Sequence, residues 1–210
     1  MAAKNLRLID HPLVRRDLTI LRDRRTGTQQ FRRALRRISC ALACEATREL
    51  AVRRGVVHTP MEKAAGYVLA RDIVLVPVLR AGLGLLEGFL DMLPDARVGH
   101  VGLQRNETTL EPEDYYRRLP GSLRASEVFV LDPMLATGGS GSAAIARLKA
   151  EGARRIRFIS LVAAPAGVRR LANDHPDVPV YSCSLDRRLN ARGYILPGLG
   201  DAGDRIFGTN

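Results

Sequence analysis

Cysteine is scarce in this chain. Cys40, Cys44 and Cys183 are too few and too scattered for a disulfide framework, and no C-x-x-C pair or histidine cluster marks a zinc site. Cys40 and Cys44, four residues apart in a helical stretch, are expected in the core, while His11, His58, His100 and His175 stand isolated and none takes a ligand role. Long apolar runs are missing too. No window reaches the roughly 18 apolar residues of a membrane span, and MAAKNLRLIDHP at 1–12 has no apolar signal core, so a cytoplasmic protein with no membrane partner is expected. With 210 residues, 46% of them hydrophobic, the chain can bury one sizeable core, which predicts a single domain over 1–210.

Charge is abundant and uneven. Of the formal net +11, residues 1–55 supply 14 Lys+Arg against 5 Asp+Glu, whereas 56–210 hold 19 against 17. Such an excess can bind nucleic acid or a nucleotide effector. Against that, 30 of the 33 basic residues are arginines spread through the whole chain, as in a genome biased toward arginine codons, and a solvated face explains them more simply.

Residues 5–12 read as a short arm. Phe31, Leu35, Ile38, Leu42, Ala46 and Leu50 recur at helical spacing, with Arg32, Arg33, Arg36 and Arg37 off the apolar stripe. Thr59-Pro60 ends an extended segment. Strands are predicted over 72–79, 97–103, 128–131, 157–162 and 178–184, with helices over 84–93 and 165–174 and another opening near Ala143. Strands alternating with helices imply an α/β fold, a central mostly parallel sheet flanked by helices, with ligands at its carboxyl edge. The 23 residues at 104–126 are long for a loop and carry Tyr115 and Tyr116. They suggest a hairpin-like arm that closes over substrate or docks on a neighbour.

The chemistry centres on 127–150, EVFVLDPMLATGGSGSAAIARLKA. Val128 to Leu131 is the short β-branched run of a strand buried on both faces. Pro133 lacks an amide hydrogen, so the chain is expected to leave the sheet there with Asp132 at the strand's carboxyl end. The loop Thr137-Gly138-Gly139-Ser140 then opens a helix, where free amides and the macrodipole favour an anion such as phosphate. A purely structural junction is the plain alternative. Gly139, Gly141 and Ala144 also fit a dinucleotide fingerprint, but 160–164 reads Ser-Leu-Val-Ala-Ala where an acid is needed, and no lysine follows the glycines as a P-loop requires.

A monophosphate cradle preceded by an acid suits a sugar phosphate. DPMLATGGS, Asp132, Pro133, Met134, Leu135, Ala136, Thr137, Gly138, Gly139 and Ser140, resembles the phosphoribosyl-diphosphate (PRPP) loop of type I phosphoribosyltransferases in the form used by uracil phosphoribosyltransferases, where proline takes the place of a second acid. VPVLRAGLG, with Arg80, resembles that family's diphosphate loop, and Arg105 in Arg105-Asn106-Glu107 matches its second diphosphate-binding arginine. His11-Pro12-Leu13-Val14 matches its opening. GYILPGLGDAGDRIFGT resembles its uracil-binding hood, in which the backbone around Ile195, Gly200 and Ala202 reads the base and Asp201 faces PRPP. This glycine-rich tail is too broken for a terminal helix and reads as a structured lid. The resemblance spans His11 to Thr209 and departs in the arginine-rich amino-terminal third and at Asn210, where lysine is common.

What the resemblance implies is transfer of phosphoribose from PRPP to N1 of uracil, giving UMP and diphosphate. Mg²⁺ would be held mainly through diphosphate and water, with Asp201 as the nearby carboxylate. Asp132 would be the catalytic residue, its carboxylate fixing the ribose hydroxyls and favouring the cation. The layout would be a core at about 56–185, an amino-terminal helical region at 1–55 and the hood at 186–210. A homo-oligomer, dimer or tetramer, and a GTP effector also follow from some members. The rival reading is a regulator of the same fold that binds RNA through its basic third; the intact hood and both arginines favour the enzyme, and purine transfer is the alternative within that class.

Overall fold

The computed structural model describes residues 5–105 and 112–209, with the backbone alone at 104, 105, 112 and 114. In chain order the elements are β1 (Leu6–Leu8), α1 (Pro12–Arg22), α2 (Thr28–Thr47), β2 (Val52–His58), β3 (Lys63–Leu69), β4 (Ile73–Leu79), α3 (Leu83–Met92), β5 (Arg97–Val98) and β6 (His100–Arg105). Then come β7 (Pro112–Arg118), β8 (Glu127–Leu131), β9 (Met134–Leu135), α4 (Gly139–Ala150), β10 (Ile156–Ala163), α5 (Pro165–Asp174), β11 (Val180–Leu185), β12 (Arg188–Leu189), β13 (Ile195–Leu196) and α6 (Ala202–Phe207).

The main sheet runs β1-β11-β10-β8-β4-β6-β7, parallel except for β7, with β5 on β4 and β9 on β10. Alternate residues feed two cores. Ile73 and Leu75 of β4 with Phe129 and Leu131 of β8 face α1, α2, α3 and α6, while Val74, Val76, Val128 and Val130 face α4 and α5. Burial on both faces explains why these strands are continuous apolar runs. The chain builds β6 on one side of β4 and β8 on the other. The order reverses between β4 and β8, and a crevice opens at their carboxyl ends.

Helix α1 starts with Pro12 at its first position, and the His11 ring accepts the Leu13 amide at 3.2 Å. In α2 the stripe Phe31, Leu35, Ile38, Leu42 and Ala46 is buried as its spacing predicts, but the helix ends at Thr47 and Leu50 lies half-buried beyond it. Cys40 and Cys44 lie off that stripe. They are half-buried and exposed respectively, so the expectation of core cysteines fails. The amino-terminal arginines are largely spoken for by acids. Arg7 meets Glu49 at 2.7 Å, Arg15 meets Asp10 at 2.6 Å, Arg36 meets Asp91 at 2.7 Å and Arg48 meets Glu45 at 2.5 Å. Burial of Asp17 opposes its ionisation, but Arg37 and Arg16 outweigh that and hold its pKa below the usual value.

One local expectation changes. Pro133 does not take the chain out of the sheet. β9 resumes pairing with β10 in the register β8 had, Leu131 opposite Ile159 and Met134 opposite Val162. The missing proline amide costs no bond to β10, because Leu161 and Val162 both donate to the Pro133 carbonyl, at 3.0 and 3.2 Å. The arm expected at 104–126 is a hairpin, β6 against β7, on the sheet edge, followed by a 3-10 turn at Leu123–Ala125. Its tip at 106–111, with Asn106 and Glu107, lies outside the described residues, as do the Arg105 side chain and Asn210. A second hairpin, β2 with β3, pairs Val52 with Leu69 through His58 with Lys63 in a separate two-stranded sheet. Among the described residues no helix is long and apolar enough to cross a membrane.

Candidate active site

The crevice between β4 and β8 receives two loops. From β4 the chain enters a turn in which Gly82 donates to the Val78 carbonyl at 2.9 Å before α3 begins. Arg80 stands exposed in this turn, and the Leu79–Arg80 peptide is cis. From β8 the chain passes through Asp132 to α4. Pro133 and Leu135 are buried, Met134 and Ala136 half-buried, and Thr137 and Ser140 exposed, so apolar side chains pin a loop whose hydroxyls face out. Gly138 sits at φ 81, a left-handed conformation that disfavours other residues, and a Cβ there would lie 3.0 Å from the Gly167 carbonyl. It is the N-cap of α4 and makes no side-chain cap. The first α4 amides therefore lack intrahelical acceptors until Ser142 donates to Gly138 at 2.9 Å. Gly139 and Ser140 lie in that turn, where the Gly139 amide makes only a long bond to the Thr137 hydroxyl, at 3.4 Å, and an anion fits.

Asp132 keeps some surface open to the crevice but is walled in by protein. Desolvation pushes its pKa up to about 6, partly countered by the Met134 amide, which donates to the carboxylate at 3.3 Å. Among the described residues that is its one hydrogen bond, so most acceptor positions of the carboxylate are open to a ligand. Asp132 and Arg80 thus lie just past the paired residues Leu131 and Pro77 of adjacent strands.

The tail folds over this edge. β12 and β13 pair Leu189 with Ile195, a cis Leu196–Pro197 bond follows, and α6 closes the chain. The short α6 corrects the expectation that the tail holds no helix. Its glycines hid a capped turn: Asp201 is the N-cap, accepting the Asp204 amide at 3.0 Å, and Gly208 ends the helix. Ile195 and Ala202 are buried, and Gly200 and Asp201 are exposed. Asp204 of α6 approaches Arg80 at 3.5 Å, and the Arg80 guanidinium lies 6.0 Å from the Phe207 ring, so hood and diphosphate-type loop touch.

Three residues that hold the hood were not singled out from sequence. Buried Asp186 accepts two bonds from Arg22, at 2.6 and 2.8 Å, one from Ser184 at 2.7 Å and the Gly198 amide at 2.8 Å. Burial alone would raise its pKa, but these donors hold it below the usual carboxylate range. Arg22 also donates to the Gly198 carbonyl at 2.8 Å. Arg205 donates to the carbonyls of Leu21, Leu199 and Asp23 and lies 4.5 Å from the Phe31 ring. Arg205 was legible as part of GDAGDRIFGT; Asp186 and Arg22 carry no local signal. A 520 Å³ cavity beside these anchors takes in Gly200 and Asp201 but none of 132–140. Arg205→Ala strands several carbonyls and should cost about 2–4 kcal/mol, lowering the Tm by about 5–10 °C in thermal denaturation. An unchanged Tm would remove Arg205 as the anchor.

Among the described residues no group of three or more His, Cys, Asp or Glu side chains comes together as a metal nest. The carboxylates at the crevice, Asp132 and Asp201, suit a hard cation that arrives with most of its oxygen ligands supplied by phosphate and water.

Comparison with known proteins fits this geometry. The family model described as uracil phosphoribosyltransferase matches residues 8–209. A relative named uracil phosphoribosyltransferase from Salinibacter ruber is 50% identical over 98% of both chains. A solved structure of an Aquifex aeolicus protein superposes with a TM-score of 0.92 at 36% identity, covering 98% of this chain and 99% of the other. Hypoxanthine phosphoribosyltransferase from Trypanosoma cruzi, 12% identical with a TM-score of 0.51 over 75% of each chain, shares the fold.

Proposed function

This chain belongs to the uracil phosphoribosyltransferase family, and from that premise we propose how its crevice makes UMP from uracil and PRPP. The observation that carries the reading is the placing of two loops at one sheet edge, Arg80 after β4 and Asp132–Ser140 after β8, with the hood meeting Arg80 through Asp204 and Phe207. The amides opening α4 hold the 5-phosphate, helped by Thr137 and Ser140. The Asp132 carboxylate accepts the ribose hydroxyls.

As N1 of uracil bonds to C1 of the ribose, the C1–O bond to diphosphate breaks. Positive charge grows on the ring and negative charge on the leaving group, so the site must hold the two apart. Asp132 favours the cation. Arg80 and Arg105 grip the diphosphate, a guanidinium being able to fork across two oxygens. Mg²⁺, carried on the diphosphate and water with Asp201 nearby, would neutralise leaving-group charge. The backbone at Ile195, Gly200 and Ala202 reads the base.

The protein works in this reading as a homo-oligomer in the cytoplasm, where its cysteines stay thiols. The β2–β3 hairpin supports assembly: Val52, Val56, Tyr67 and Leu69, which share one face in its register, are 55%, 70%, 64% and 41% exposed. A lone two-stranded hairpin is marginal in water, and contiguous exposed apolar surface marks an interface. A GTP effector rests on the family resemblance. Nucleic acid has no part, and the whole chain acts as one domain. Diphosphate release from PRPP, followed with uracil, hypoxanthine, guanine or adenine, tests the activity. Uracil alone should support it; release driven by a purine would overturn the base assignment.

A further inference from the structure

Opposite the active edge, at the amino-terminal ends of the strands, a cavity of 730 Å³ is lined by Arg71, Arg124, Arg154 and Arg155 together with Asp72 and Ser122. The topology explains the gathering. Arg71 leads into β4, Arg124 into β8, and Arg154 and Arg155 into β10, and these three strands lie side by side and parallel. Four arginines therefore line one space against one lining carboxylate, and Asp72 is itself 3.5 Å from Arg97.

The nearest buried acid does not balance them. Glu127 Oε2 accepts from Arg157 at 2.5 Å, while its Oε1 lies 3.8 Å from Arg155 and 3.9 Å from Arg71, so one carboxylate serves three guanidiniums. Arg155 also reaches the Arg124 carbonyl at 3.5 Å, which draws their two loops together. Among the described residues no carboxylate pairs with Arg124 or Arg154. Like charges held in one concave space repel unless an anion joins them, and arginines favour phosphate because the planar fork meets two oxygens at once. The volume suits a small molecule. No aromatic side chain lines the cavity, so it offers no stacking platform of the kind single-stranded nucleic acid uses.

We propose that this cleft is a second anion site, separate from the catalytic crevice, that binds a polyphosphate group, either free or as the tail of a nucleotide.

Calorimetric titration of the full chain with inorganic triphosphate tests it, comparing the parent with the R124A/R154A variant. Both substitutions are at the surface and away from Arg80 and Asp132, so uracil transfer should be unchanged in the variant, which also verifies folding. The parent should bind triphosphate at this site, weakening as salt rises, and the variant should lose roughly tenfold or more in affinity there. R124K/R154K, which keeps the charge without the fork, should recover part of the loss. ATP run in parallel identifies the source: equal affinity assigns a bare polyphosphate, tighter binding a nucleotide, and either supports the site. Identical titrations for parent and R124A/R154A overturn the proposal, as does a parent in which all triphosphate binding is abolished by R80A.

Discussion

Asp132→Asn should cut turnover about 10²–10³-fold, the usual loss when a charge aimed at the transition state is removed, and should raise thermal stability at the same time. The two effects have one origin. Burial pushes the Asp132 carboxyl up to about 6 from an ordinary 3.8, so the folded protein resists ionising it. A raised carboxyl pKa means the folded state binds the proton more tightly than the unfolded chain. The resulting cost is absent below about pH 4 and fully present above about pH 6. Asparagine carries no charge and removes that cost, on the order of 2–3 kcal/mol at pH 8, which corresponds to a Tm higher by about 5–10 °C. At pH 4 the two proteins should melt together. In catalysis the sign is reversed: protonating Asp132 leaves nothing to favour the oxocarbenium, so kcat/KM of the parent should fall as pH drops through about 6. The variant should lack that acid limb. Equal turnover would strip Asp132 of its role, and a lower Tm for the variant at pH 8 would mean that burial of the charge is not costly.

That residue was legible in the sequence because its surroundings are regular. Val128 to Leu131 is a β-branched run between a charged residue and a proline, and buried parallel strands have no other common appearance. The glycines at 138 and 139 likewise announced a turn at a helix start. What escaped had weak or misleading local signals. The β2–β3 hairpin is exposed on both faces, so it has no in-out alternation to detect, and only the extended character before Thr59-Pro60 showed. Pro133 looked like a strand end because its missing amide was counted, whereas the bonds that matter there are made by its carbonyl. Cys40 and Cys44 have helical spacing with each other but not with Phe31, Leu35 and Ile38. The hood's shape was legible by resemblance, yet its anchorage was not: Asp186 and Arg22 are 164 residues apart, and no local pattern connects them.

Cytosine should be used at least about 10⁴-fold less well than uracil, by kcat/KM. Uracil presents acceptor, donor and acceptor at O2, N3–H and O4, which an amide, a carbonyl and an amide of the hood segment 195–202 can match. Cytosine turns N3 into an acceptor facing a carbonyl and the 4-position into a donor facing an amide. Two buried pairs become repulsive together, and each unmet polar group carries its own desolvation penalty. An asparagine or glutamine reader could flip its amide to suit; a backbone cannot. The hood backbone is also fixed from behind, since Asp186 and Arg22 hold both the amide and the carbonyl of Gly198. Ala202→Val, which crowds a buried position, should therefore lower the rate on uracil without raising the rate on cytosine. Comparable kcat/KM for the two bases, in the parent or in Ala202→Val, would show that this backbone does not read the base.

The anchorage of the hood also sets when the enzyme can exist during its own synthesis. β1 at Leu6–Leu8 finds its strand partner only when Val180–Ser182 has been made, and the carbonyls of Leu21 and Asp23 wait for Arg205. Contacts this distant in the chain require closing nearly its whole length, which slows folding. A ribosome carrying the chain to residue 190 holds both loops of the crevice but no Arg205 and no α6. The segment proposed to read the base is then the last to be made, so a chain truncated at that point should lose uracil recognition while keeping the loops expected to grip phosphate.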